Sequence, residues 1–238
     1  MNKISNINSY NLLSTIILGI ALILASSIIG AYLFKSRQTA RFITVKGLAE
    51  REVNANLGIW PISFRIADDD LSILQQKLEK QRKLITDFLT NQGFKPEELT
   101  YGIPGIEDKE ARTYGAERKF RYVGQATITV RSNNVAVLEQ TLQKSEALVA
   151  KGIVLDSERW EYRPQFLFTN LNEIKPAMIQ EATIEARKAA GQFAKDSGSQ
   201  VGNIRQATQG LFSIEDTHIP TKKHVRVVTT VQYTLIDK

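Results

Sequence analysis

The chain has no cysteine and only two histidines in 238 residues. The first absence removes disulfides, thiolate metal sites and cysteine nucleophiles together, so stability has to come from packing. The second leaves a Ser-His-Asp arrangement only His218 and His224 to draw on, and no Gly-x-Ser-x-Gly turn is there to present a serine. Glycine-rich strand-to-helix turns are missing as well, which counts against a nucleotide-binding doubly wound fold. Charge of one sign does not dominate: 31 basic residues are interspersed with 25 acidic ones, and the net +6 is weak ground for a polyanionic partner. What is present, 42% hydrophobic and 24% charged residues, is the composition of a globular protein with a sizeable core.

One segment departs from that composition. Leu12 to Phe34 reads LLSTIILGIALILASSIIGAYLF, without a charged residue. As a helix it extends about 34 Å, enough to cross a hydrocarbon core of about 30 Å. The expected layout is a short tail over 1–11, a transmembrane anchor (or signal sequence) over 12–34, a linker over 35–41 and one domain over 42–238. The helix takes membrane lipid as its partner. A cleaved signal peptide is the competing reading, with Leu12 to Leu24 as its apolar region and Ala25-Ser26-Ser27 as the cleavage site. Lys3 is the only basic side chain before the run, while Lys35, Arg37 and Arg41 follow it, so a literal count of positive charge keeps the domain in the cytoplasm.

Beyond the linker, strand-like and helix-like stretches alternate. Leu71, Leu74, Leu78, Ile85 and Phe88 fall on one face of a helix capped by Asp68 to Asp70 and ended by Gly93. Val135, Leu138, Leu142 and Leu148 predict a second helix, capped by Asn133 or Asn134 and stopped by Gly152. Ile179, Ala182, Ala186, Ala189 and Phe193 predict a third, with Pro176 near its start, Gly198 after its end, and an alanine stripe suited to a close approach to a sheet. Strands are expected over Phe42 to Val53, Leu57 to Ile66, Leu99 to Ile106, Phe120 to Arg131, Ile153 to Asp156, Arg159 to Thr169, Ile204 to Ile214 and His224 to Ile236. The pattern predicts an α+β fold: antiparallel sheets with three amphipathic helices in repeated strand-strand-helix units, preceded by one N-terminal transmembrane helix. Pro61 after Trp60 places its strand at an edge or a bulge.

Candidate chemistry is thin. Lys46-Gly47 has one glycine where a phosphate cradle needs several, and a bulge or close backbone contact explains it better. Glu50 and Glu52 share a strand face, with Arg51 between them, as a solvated face does. His218 and His224, with Glu215 and Asp216, sit around a hairpin at Ile219-Pro220-Thr221 whose spacing matches no strong metal motif. Arg118-Lys-Phe-Arg-Tyr122 interleaves basic and aromatic residues without a second aromatic platform, which reads as a strand with a charged face. Trp160, Tyr162, Phe166 and Phe168 have the even spacing of one strand face, suited to core or subunit packing. No catalytic, cofactor-binding or metal residue is assigned, and no nucleic acid is expected.

Several of these stretches together resemble the SIMPL-domain family: Ile43-Thr-Val-Lys-Gly47, then Tyr122-Val-Gly-Gln-Ala-Thr-Ile-Thr-Val130 leading into Val135 to Gly152, then Glu181-Ala-Thr-Ile-Glu-Ala-Arg-Lys-Ala-Ala190 continued by Ser199-Gln-Val-Gly202. Ala49 stands where a second glycine is frequent, and Ala55-Asn56 where Pro-Asp is frequent. The resemblance implies an α+β domain, export behind an N-terminal signal or anchor, homo-oligomers in some members, links to oxidative-stress defence or envelope function, and no established catalytic residues. Weighed against the charge count, it favours an inner-membrane, single-pass protein with its domain outside the cytoplasm. The expected role is a non-enzymatic, self-assembling scaffold or interaction protein whose other protein partners the sequence does not name. The alternative is an envelope ligand-binding protein, or an enzyme whose site gathers distant residues such as Glu215, Asp216 and His218.

Overall fold

The computed structural model describes residues 5–36, 41–111, 119–156 and 159–237; Lys3, Arg37 and Arg118 lie outside them, as does most of the linker. The protein is α+β with antiparallel sheets. In chain order its elements are α1 (Ser5–Ser36), β1 (Phe42–Asn54), β2 (Leu57–Asp68), α2 (Leu71–Asn91), β3 (Leu99–Tyr101), β4 (Gly105–Asp108), β5 (Tyr122–Ser132), α3 (Val135–Gln143), α4 (Glu146–Ala150), β6 (Gln165–Leu167), α5 (Leu171–Asp196), β7 (Ser199–Gln209), β8 (Ser213–Asp216) and β9 (Lys222–Asp237). One sheet runs β3-β5-β2-β6 with β4 also on β5; the other runs β1-β9-β7 with β8 also on β9. The chain divides into a larger unit, Lys46–Ala186 with Thr208–Thr230, and a smaller one, Met1–Val45 with Arg187–Ala207 and Val231–Lys238.

In the larger unit, β2 and β5 pair antiparallel from Gly58↔Ser132 to Asp68↔Tyr122. Strand alternation turns Trp60, Ile62 and Phe64, with Ala126, Ile128 and Val130, to one face. There they bury against Leu74, Leu78, Ile85, Phe88 and Leu89 of α2. α2 forms where its leucine spacing predicts, and of the three aspartates it is Asp70 that caps it, accepting from the N–H groups of Ser72 (2.7 Å) and Ile73 (3.0 Å). The glycines predicted to close helices, Gly93, Gly152 and Gly198, all have positive φ, as the left-handed position after a helix requires.

Six expectations need correction. The second helix breaks at Lys144–Ser145 into α3 and α4. Leu138 of α3 and Leu148 of α4 are both fully buried on either side of the break. The third helix starts at Leu171, leaving Pro176 inside it. A tertiary bracket sets that start: Asn56 accepts from the Thr169 N–H (2.7 Å) and donates to Thr169 Oγ1 (2.8 Å) and Asn170 Oδ1 (2.7 Å). Arg159 to Thr169 is not one strand but a 3-10 turn at Trp160–Tyr162 followed by β6, because Pro164 lacks an N–H and restricts the residue before it. Ile153 to Asp156 contributes only a single bridge, Leu155 to Phe64. The stretch Leu99 to Ile106 divides into the short strands β3 and β4, and Ile204 to Ile214 divides between the end of β7 and the start of β8.

Also in the larger unit, Ala49, Val225 and Val227 pack against Met178 and Ala182 of α5. The smaller unit holds α1, whose apolar window Ser14–Ala31 has no buried residue. That exposure fits a membrane anchor or a signal sequence. Within the same unit Val45, Ala190, Ala194, Val231 and Tyr233 are buried. Leu235 N–H donates to the Arg41 carbonyl (2.7 Å), Arg41 pairs with Asp237 (2.6 Å), and the Arg205 guanidinium lies 4.7 Å from the centre of the Phe42 ring.

Candidate functional site

The structure places the sequence candidates in separate surroundings. Gly47 is a close backbone contact: a Cβ there would collide with the Ala182 carbonyl oxygen and come within 2.5 Å of the Ala186 nitrogen, so α5 rests directly on β1. Glu50 and Glu52 are exposed on one strand face and ion-paired across it to Arg226 (3.4 Å) and Lys222. The hairpin around Ile219-Pro220-Thr221 exists, with Glu215 opposite His224 and Asp216 opposite Lys223. Among the described residues no three His, Asp or Glu side chains gather as a metal site. In the basic-aromatic run, Arg121 is ion-paired to Asp108 (3.0 Å) and Glu110 (3.2 Å) and lies over the Tyr122 ring. Of the four spaced aromatics, Phe166 is in the core while Trp160, on its 3-10 turn, is 74% exposed.

A concave feature of the larger unit lies elsewhere, at the edge of β2. β6 pairs with Leu57 to Ile59, and the chain returns at Leu155-Asp156, where the Asp156 N–H donates to the Ser63 carbonyl (2.8 Å). Between them, among the described residues, Trp60 to Ile62 has no neighbouring strand on that side. Pro61 has no N–H to leave unpaired there, which is why it tolerates the gap. Residues from Leu142 to Asp156 and from Tyr162 to Pro164 border the opening, a groove of about 570 Å³. Its walls are Trp60, Ile62, Leu142, Val149, Ile153 and Val154.

Polar groups of the lining are tied together from behind by Gln125. Gln125 Nε2 donates to Ser63 Oγ (2.8 Å) and to the Tyr162 hydroxyl (2.8 Å), and both hydroxyl residues line the opening. Asp156 lies on the wall with its carboxylate 2.9 Å from Arg65, an ion pair without a well-directed hydrogen bond. Neither histidine lines the groove. The lining combines hydrogen-bonding hydroxyls with apolar walls, the composition of small-molecule pockets. The sequence reading missed it because Ser63, Gln125 and Tyr162 come from three separate segments. Pro61 was the one local signal.

Three carboxylates of the larger unit are held below their ordinary range. Asp68 is lowered by the hydrogen bond from Lys77 and then by the Asp70 N–H, Asp108 by the hydrogen bond from Arg121, and Glu52 by the hydrogen bond and charge of Lys222. Each binds a proton less readily folded than unfolded. Its contribution is therefore complete above the unfolded value, near 4, and is lost as pH falls through the lower folded value. Urea midpoints measured from pH 7 to pH 2 are expected to fall on the acid side. The fall should be smaller in a variant combining Asp68→Asn, Asp108→Asn and Glu52→Gln, and an equal fall would rule out these three groups as its source.

Among curated proteins, none matches the chain significantly. A family model described as "SIMPL: Protein of unknown function (DUF541)" matches residues 43–233. Two of the motifs that carry the resemblance touch in the fold, Gly47 of the first resting on Ala182 and Ala186 of the third. The middle motif contains β5, the strand that pairs with β2 and carries Gln125, which donates to Ser63 and Tyr162 of the groove lining. With the match extending over most of its length, the chain belongs to the SIMPL family.

Proposed function

We infer that the protein is a single-pass anchor followed by an extracytoplasmic, non-enzymatic domain that acts as a scaffold and assembles with copies of itself, in envelope maintenance or defence against oxidative stress. The observation that carries this reading is the near-complete exposure of two large apolar side chains at loop tips: Ile103, between β3 and β4, at 97%, and Leu211, between β7 and β8, at 96%. Single exposed leucines are ordinary. Two apolar tips this bare, in turns where polar residues are favoured, suit insertion into another molecule. The strand β7 adds an exposed edge, with every residue from Asn203 to Gln209 exposed.

The test uses the full chain in lipid nanodiscs or detergent. Sedimentation should show a species larger than one chain, and Ile103→Asp with Leu211→Asp should drive it toward monomer without moving the urea midpoint. A strictly monomeric wild type overturns the assembly. Orientation is tested separately, since the chain has no cysteine: Glu97→Cys should react with a membrane-impermeant maleimide in intact spheroplasts. Labelling only after membrane rupture overturns the extracytoplasmic assignment. A second reading, a ligand-binding protein, is favoured by the groove beside Pro61.

A further inference from the structure

We propose that the groove at the β2 edge is a binding site for a small apolar monocarboxylate. The inference stands whether or not the chain assembles, because all of its residues belong to one unit of one chain. A volume of about 570 Å³ with apolar walls matches the size and lining of small-molecule sites. A peptide strand is a poorer occupant. At the open stretch of β2 the central residue is Pro61, which has no N–H to offer an incoming strand, so the ladder that strand addition needs would be broken at its middle.

The head group follows from the hydrogen bonding. The two protons of the Gln125 amide are committed, one to Ser63 Oγ and one to the Tyr162 hydroxyl. Each hydroxyl accepts there, so each has its own proton to donate. Two donors held within 2.8 Å of one nitrogen converge on a ligand that brings acceptors and no donor. A carboxylate is the strongest such group, since hydrogen bonds to an ionised acceptor are roughly twice as strong as neutral ones. Arg163, also in the lining, supplies positive charge. The acids of the lining are Asp156, already ion-paired to Arg65, and Glu146, exposed at the first residue of α4.

The experiment exploits the two tryptophans of the chain. With Trp160→Phe as background, Trp60 on the groove wall is the only reporter left, and the full chain in lipid nanodiscs is titrated with 4-phenylbutanoate, 4-phenylbutanamide and 4-phenylbutylamine, with empty nanodiscs as blanks. These share one apolar body and differ in the head. Trp60 emission should change saturably with the carboxylate, bind the neutral amide more weakly and the amine least. Tyr162→Phe and, separately, Ser63→Ala should each weaken the carboxylate by roughly tenfold, with the urea midpoint measured on each variant to confirm folding. A saturable site in which the amine binds as tightly as the carboxylate overturns the proposal. So does the absence of any saturable change with the carboxylate, or unaltered affinity in both folded variants. None of these results bears on sedimentation, so failure here leaves the assembly reading separately decided.

Discussion

Gly47→Ala is expected to destabilise the full chain by about 3 kcal/mol or more, at the upper end of what overpacking costs. The added methyl would be driven into the backbone of α5, at the Ala182 carbonyl and 2.5 Å from the Ala186 nitrogen, and backbone cannot rotate away as a side chain can. The helix has to lift from β1, which opens the contacts that Ala182 and Met178 make with Ala49, Val225 and Val227. Gly191→Ala, in the same helix, is the matched control. A Cβ there meets nothing within 4 Å, so only the helix-propensity term remains, and stability should rise by roughly 0.5–1 kcal/mol. Urea unfolding of the two variants in nanodiscs, followed by tryptophan emission, checks both signs. Equal effects would show that close packing is not what this glycine serves.

Phe64→Ala is the second large effect, a loss of about 3–5 kcal/mol. Phe64 is fully buried in the centre of β2, flanked along the same face by Ile62 and Ile66 and covered by α2. Nothing around it can collapse into the space. Pairing with Ala126 on β5 and the bridge to Leu155 hold the backbone on both sides, so the cavity term is added to the lost burial. The same substitution separates groove from core. Trp60 and Ile62 belong to the core cluster and also line the groove, so loosening this strand should also redden Trp60 emission before the main unfolding transition. A Phe64→Leu variant should recover most of the loss; an Ala variant as stable as wild type would mean the cluster is not close-packed.

Legibility in the sequence varied with how local each feature is. α2 and the β2–β5 pair were readable because leucines at helical spacing and strict alternation of Trp60, Ile62 and Phe64 are properties of a single segment, and burial follows from them directly. Pro61 was read as an edge or bulge residue, and it lies at the unpaired stretch of β2. The misreadings all lie where another segment intervened. Val135 to Gly152 looked like one helix, but it breaks at Lys144–Ser145 into two, each burying one leucine, Leu138 and Leu148, in the core. Pro176 looked like a start signal until the Asn56 bracket placed the helix start at Leu171, five residues earlier. The aromatics from Trp160 to Phe168 had strand spacing, but Pro164 divides them.

By itself, then, the sequence determined the apolar helix at the N-terminus, the α+β class, the exclusion of thiol chemistry, the faces of the main helix and strands, and the glycines that end three helices. These depend on residue type and on periods of two and 3.6, which are set along the chain. Only the tertiary structure decided that Gly47 is a contact surface for α5, that Asn56 ties a corner to a helix start, and that Gln125 joins two hydroxyl residues in the lining of an apolar groove. Those features exist where segments far apart in sequence meet, and a cavity is fixed by the mismatch between packed pieces, which no single stretch of the chain records.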